Sequence, residues 1–208
     1  MARSAVRSRD ADAEELAAAE AFYRRRLTAE AVPSSHRWAP TCIGPTWQRT
    51  GTRWLLPDAS LGWLMLAWCG VFLRSGRDEP WVFTDEQARF LLWWYATDAD
   101  GRFLYRDGVL QRLKGWGKDP VGGTIGLFEL VGPATVGDVV KGQPVGVPHP
   151  DPWVQISAVS LEQTKNTMRF LPTLVSSKLR EQTGLAVGKE SAYAGNRFLQ
   201  AVTSSPAT

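Results

Sequence analysis

The stretch QRLKGWGKDPVGGT, Gln111 to Thr124, constrains the fold of this chain more than any other. Gly115 and Gly117 bracket Trp116, and Lys118 and Asp119 follow. Pro120 stands where a helix admits proline, in its first turn, because proline has no N–H to leave unpaired there. The run therefore reads as a tight glycine turn that feeds a helix over PVGGTIGLFELV. Gly122, Gly123 and Gly126 work against that helix, each costing about 1 kcal/mol relative to alanine.

The same residues suit phosphate. Small residues let successive backbone N–H groups point inward at an anion, and the following helix offers its positive N-terminus. A lysine adds a mobile charge, and a hydroxyl after it normally helps to hold magnesium. Here Arg112 stands where such loops open with glycine, Lys118 takes the lysine position, and Asp119 replaces the hydroxyl. A carboxylate can ligate magnesium directly or through water, although its charge repels phosphate unless the metal or Lys114 compensates. A plain glycine turn between strand and helix is the competing reading.

The rest of the chain sets bounds. Its 208 residues suffice for a domain with a core. A net charge of +3 is compatible with a phosphate-bearing partner without requiring one. Cys42 and Cys69 form no CxxC pattern, and His36 and His149 lie far from both, so neither a disulfide framework nor a His/Cys metal site is expected. The start of the chain is too charged for a signal peptide. The most apolar run, Leu61 to Leu73, is shorter than the roughly 20 residues that span a bilayer, and reads as a buried helix or strand. The ten tryptophans have three readings, namely core packing, base stacking and a protein interface.

Local signals give the order of elements. Asp12 to Ala29 reads as a loosely anchored helix, followed by a loop from about Val32 to Thr52. RSGRDEPW closes the apolar run as a turn. Thr84 and Gln87 have capping-box spacing for a helix over TDEQARFLLWWYATD. RFLYRDGVLQRL reads as two short strands or one bent strand, turning at Asp107-Gly108. Gly132 to Pro152 reads as a loop. Trp153 to Ser160 reads as a strand, and the helix after it, capped by Ser160, kinks or ends at Pro172. Phe198 to Val202 reads as a strand, with a turn at Gly195-Asn196. Strand, Gly-Lys loop, helix, strand, helix is how an α/β nucleotide-binding sheet begins.

Three blocks carry a resemblance. EPWVFTDEQARFLLWWYATDADGRFLYRDGVLQRLKGWGKDP, then WVQISAVSLEQTKNTMRFL, then FLQAVTSSP resemble, in this order, the N-terminal ATPase domain of the large terminase subunit of tailed bacteriophages. The terminases of phages that infect actinobacteria look most similar. The resemblance runs from about Leu61 to Pro206. It implies an α/β fold with a P-loop NTPase-like parallel sheet flanked by helices, incomplete at the C-terminus. Residues 1–60 would be an N-terminal helical extension, and 61–208 a partial ATPase domain.

The family's function follows as expectation. It is an ATP-driven motor, with Mg2+, that pushes double-stranded DNA into a capsid from the portal protein, in the host cytoplasm and away from any membrane. Large-subunit copies form a ring, and a small terminase subunit selects the DNA. The resemblance makes Arg112, Lys114, Gly115, Trp116, Gly117, Lys118 and Asp119 the phosphate-binding residues, with Lys114 at the family's basic loop position. It makes Gln87 the adenine reader and Asp119 the magnesium ligand. The family's Walker B strand, an apolar run ending in Asp-Glu, is expected after AVTSSP, but no such run follows Lys118, and the nuclease domain is missing as well. The chain is then the N-terminal part of a packaging motor, or a non-catalytic remnant that binds nucleotide or partner subunits. An unrelated P-loop kinase is a third reading, disfavoured by the lack of convincing lid arginines.

Overall fold

The computed structural model describes residues 2–33, 45–76, 78–158 and 161–203, without the side chains of 2–9 and 161–163. His36, Cys42 and the expected cap Ser160 lie outside the described residues. The chain is mixed α/β, and its residues group into two units, each discontinuous in sequence. The first comprises Met1–Ala67, Phe83–Gly108 and Val136–Val145; the second comprises Trp68–Val82, Val109–Thr135 and Gly146–Thr208.

In the first unit, α1 spans Ala2–Ala29. It is longer than its sequence suggests and is held at its C-terminal end. Tyr23 and Leu27 are buried there, and the Tyr23 hydroxyl accepts a hydrogen bond from Phe83 N at 2.9 Å. Two short strands, β1 (Arg49–Thr50) and β2 (Arg53–Trp54), form an antiparallel pair.

The apolar run is a helix, α2 (Gly62–Phe72), and the boundary between the units falls within it. Gly62 is required at its start, because a Cβ there would lie 2.7 Å from Leu91 O. α3 (Asp85–Trp94) opens with the expected capping box between Thr84 and Gln87. On α3 the buried Arg89 pairs with Glu30 and lies 4.5 Å over the Trp54 ring. The ion pair and the stacking offset the cost of burying the charge, although Arg89 Nε is buried without a hydrogen-bond partner.

Two readings of this unit need correction. The turn after α3 is not at Asp107-Gly108. It lies at Asp98–Arg102, where the Asp98 carboxylate accepts from Asp100 N and Arg102 N, both at 2.9 Å, and Gly101 takes φ 80°. An aspartate that binds its own backbone two and four residues on closes a turn by itself. The stretch read as a loop from Gly132 to Pro152 contains a hairpin, β3 (Thr135–Val140) and β4 (Gln143–Val147), paired with each other. Lys141 at φ 53° and Gly142 at φ 75° make its two-residue turn, the geometry that matches strand twist.

The second unit is built on α4 (Lys118–Val131) and a four-stranded sheet ordered β5-β8-β7-β6. β5 is Trp153–Ala158, β6 Ala186–Val187, β7 Ser191–Ala194 and β8 Arg197–Thr203. β5 and β8 are parallel; β6–β7 and β7–β8 are antiparallel, the last turning at Gly195-Asn196 as expected. The helices α5 (Leu161–Met168), α6 (Leu171–Leu174) and α7 (Ser177–Thr183) connect β5 to β6. Pro172 lies in the first turn of α6, so it ends one helix and opens the next.

The glycines of α4 explain themselves by packing. A Cβ on Gly126 would stand 3.1 Å from Leu199 Cδ1 of β8 and 3.9 Å from Val154 Cγ1 of β5. One on Gly123 would stand 3.2 Å from both Leu171 and Leu174 of α6. The helix gives up propensity and gains close approach on two sides. Leu199 faces α4; the neighbouring position on β8, Phe198, looks the other way. Trp153, Phe198 and Tyr193 are register partners across three strands, 69%, 37% and 52% exposed, and make an aromatic row on the sheet's open face.

The expected strand before the loop does not form. Residues 109–113 are not part of any strand among the described residues, and Val109 and Leu113 are 89% and 86% exposed. An extended segment becomes a strand only when its N–H and C=O groups find a partner. A largely parallel sheet is therefore not what these residues form; one pair, β5–β8, is parallel.

Cys69 is fully buried on α2, and burial pushes its thiol well above the usual range. In native protein at pH 8, an alkylating reagent should leave Cys69 unmodified while labelling it readily in urea, as read by peptide mapping. The α4 packing gives a second expectation. Gly126→Leu should destabilise by about 1–3 kcal/mol through overpacking. Gly122→Ala, whose added carbon meets only Thr167 Cγ2 at 4.0 Å, should stabilise by up to about 1 kcal/mol. Urea denaturation of the two variants compares them directly.

Candidate functional site

The loop is set by two residues in the left-handed region. Gly115 has φ 90° and Gly117 φ 94°, with Trp116 between them outside that region. Non-glycine residues pay about 1–2 kcal/mol for this conformation, which accounts for the G-W-G spacing. Alternation of this kind turns successive N–H groups towards a common side, a concavity suited to an anion. Gly117 is the N-cap of α4 and contributes no side chain, so the first N–H groups of the helix are not capped by it. They are donors in need of a partner.

Charge surrounds these donors. Lys114 and Lys118 are exposed. Lys118 Nζ donates to Arg112 O at 2.8 Å and to Leu113 O at 3.0 Å. These bonds fold the lysine back on the segment that precedes the loop and use two of its three donors. Arg112 donates to Gln111 O at 2.8 Å, and its guanidinium lies 5.9 Å from the Trp116 ring centroid. Asp119 sits in the first turn of α4, where a carboxylate is favoured by the helix dipole. Its Oδ1 accepts from Thr167 Oγ1 at 3.4 Å.

The structure thus brings Arg112, Lys114, Gly115, Trp116, Gly117, Lys118 and Asp119 into one short turn at a helix start. Gln87 belongs to the first unit. It is buried there, and its side-chain oxygen accepts from Thr84 N at 3.1 Å as the second half of the capping box. Among the described residues there is no cluster of three or more His, Cys, Asp or Glu. A magnesium ion at this loop would have Asp119 as its protein ligand and complete its shell with phosphate oxygens and water, which is how magnesium is commonly held. Thr167 was not visible from the sequence as a neighbour of the loop. It lies 48 positions after Asp119, and no local spacing rule connects the two.

These features describe a mixed α/β chain with a glycine-lysine loop at a helix N-terminus. Its relatives are bacteriophage proteins. The chain is 40% identical over 195 residues to the Gene 13 protein of Mycobacterium phage L5, an alignment that takes 81% of this chain and 33% of the relative. It is 41% identical over 197 residues to the Gene 13 protein of Mycobacterium phage D29, again over 81% and 33%. The chain therefore spans about a third of the length of the curated relatives it matches. No family model matches it, and no solved structure does so significantly. Among the described residues no helix is long and apolar enough to cross a membrane.

Gly117→Ala should cost about 1–2 kcal/mol in stability, from left-handed strain alone. The same change at Gly115, where an added carbon meets nothing within 4 Å, should cost a similar amount. Urea midpoints measure both. A neutral result at either position would show that the loop relaxes out of the left-handed geometry.

Proposed function

We propose that the turn from Arg112 to Asp119 binds the phosphates of ATP, with magnesium. The observation that carries this reading is the pair of left-handed glycines that leads directly into the N-terminus of α4, with Lys118 as the first helical residue. Backbone donors, helix dipole and mobile cations then converge on one place. On this reading Lys118 exchanges its carbonyl partners for phosphate oxygens, and Lys114 and Arg112 add charge. Asp119 holds the magnesium that offsets its own repulsion of the phosphates.

We further propose that the chain is the N-terminal part of a phage terminase large subunit, with a P-loop NTPase-like ATPase domain. It would act at the procapsid portal on double-stranded DNA, with other large-subunit copies and a small terminase subunit. The phage origin of its relatives and the loop geometry support this reading. A second reading is a non-catalytic terminase remnant, a module that binds nucleotide or partner subunits without turnover.

Titration with a fluorescent ATP analogue tests the first proposal. Lys118→Ala should weaken binding about 30-fold or more, as expected when a charge partner of buried phosphate is lost. Equal binding by wild type and variant would remove the phosphate reading. Asp119→Ser should improve binding in the absence of magnesium, and Asp119→Lys should disrupt binding of magnesium-ATP. Phosphate release by this chain should stay near background with or without double-stranded DNA. DNA-stimulated turnover that disappears in Lys118→Ala would instead make it a complete motor domain and end the second reading.

A further inference from the structure

The loop lacks the hydroxyl that usually follows its lysine, and α5 brings one to the same place. Thr167 Oγ1 donates to Asp119 Oδ1 at 3.4 Å, next to Lys118 in the chain. Glycines on α4 leave room for this approach. A Cβ on Gly122 or on Gly123 would stand 4.0 Å from Thr167 Cγ2, so α5 lies close along this side of α4. On α5, Thr164 and Met168 are buried. Their burial fixes the rotation of a helix whose side chains recur at three- and four-residue spacing, and with it the side from which Thr167 reaches Asp119.

We infer that Thr167 is a positioning residue for Asp119, an inference that rests on the nucleotide reading of the loop. An exposed aspartate at a helix start samples several rotamers. A hydroxyl that donates to Oδ1 restricts the carboxylate and leaves Oδ2 to face the divalent cation that accompanies bound ATP. Thr167 touches neither cation nor phosphate in this role; it acts through Asp119. The hydroxyl has moved from the loop to a neighbouring helix, and with it the role has changed from ligand to support.

The test separates this role from packing. A fluorescent ATP analogue is titrated against wild type, Thr167→Val, Thr167→Ser and Lys118→Ala, across a magnesium series and in EDTA. Thr167→Val keeps the volume and removes the O–H. It should weaken magnesium-dependent binding about three- to tenfold, the effect of one ordinary hydrogen bond, as suits an exposed contact at 3.4 Å. Binding in EDTA should not change, and Thr167→Ser should restore the wild-type magnesium series. If Thr167→Val shows wild-type magnesium dependence while Lys118→Ala loses binding, the loop binds nucleotide and the role of Thr167 is overturned. An equal loss with and without magnesium also overturns it, because Thr167 then only packs. If wild type binds no analogue, the nucleotide reading fails and this inference fails with it.

Discussion

The second unit depends on how closely α4 can approach its neighbours. Gly126 lets the helix settle on Leu199 and Val154, and Gly123 lets Leu171 and Leu174 come in from α6. Each glycine gives up about 1 kcal/mol of helix propensity. Contact recovers this: a buried leucine gains roughly 1.5–3 kcal/mol when its surface leaves water, and Leu171, Leu174 and Leu199 are all buried. A larger residue at either glycine would push α4 away from the sheet or from α6. The start of the helix, which carries the loop, would move with it.

The loop inherits its geometry from this arrangement. α4 is held along its length by β5, β8, α5 and α6, so its N-terminus is a fixed point. Gly115 and Gly117 supply the two left-handed steps that bring the chain onto that point. Lys118 then ties the helix start to the carbonyl oxygens of Arg112 and Leu113. The turn is closed by its own lysine, whose ammonium rests on those two carbonyl oxygens. An incoming anion would meet donors that are already arranged, so it would not bear the full entropy cost of ordering them.

What the sequence disclosed follows the range of the signal. The Thr84–Gln87 capping box, the end of a helix before Pro172 and the turn at Gly195-Asn196 each rest on residues within four positions, and all are present. The helix over 118–131 was legible despite its glycines because Pro120 marks its first turn. The hairpin of β3 and β4 was hidden by Pro144 and by three glycines, which read as loop, and its Lys-Gly turn is less telling than Asn-Gly. The turn at Asp98 was hidden because an aspartate cap looks like any surface charge until its backbone partners are known. The segment 109–113 reads as strand from its apolar residues after a turn signal, and neither says whether a pairing partner is there. In the candidate site the glycines and lysine were legible by type and spacing. Thr167 was not, since its place by Asp119 comes from helix packing.

The sheet itself shows why a parallel architecture was the natural expectation and only partly met. Joining two parallel strands requires a crossover, and the chain supplies one from β5 to β8 through α5, α6, α7 and the β6–β7 pair. That crossover carries Thr167 past the start of α4, so the single parallel pair and the contact with Asp119 share one topological cause. The two antiparallel pairs fill the rest of the sheet. An antiparallel sheet tolerates one open face where a parallel one is covered on both. Here Leu199, Ala192 and Ala194 are buried, while Trp153, Phe198 and Tyr193 stand exposed. The pleat thus sets the aromatics of these strands on the open face and the aliphatic residues on the covered one, while the tryptophans that pack inside, Trp54, Trp63 and Trp68, lie on β2 and α2.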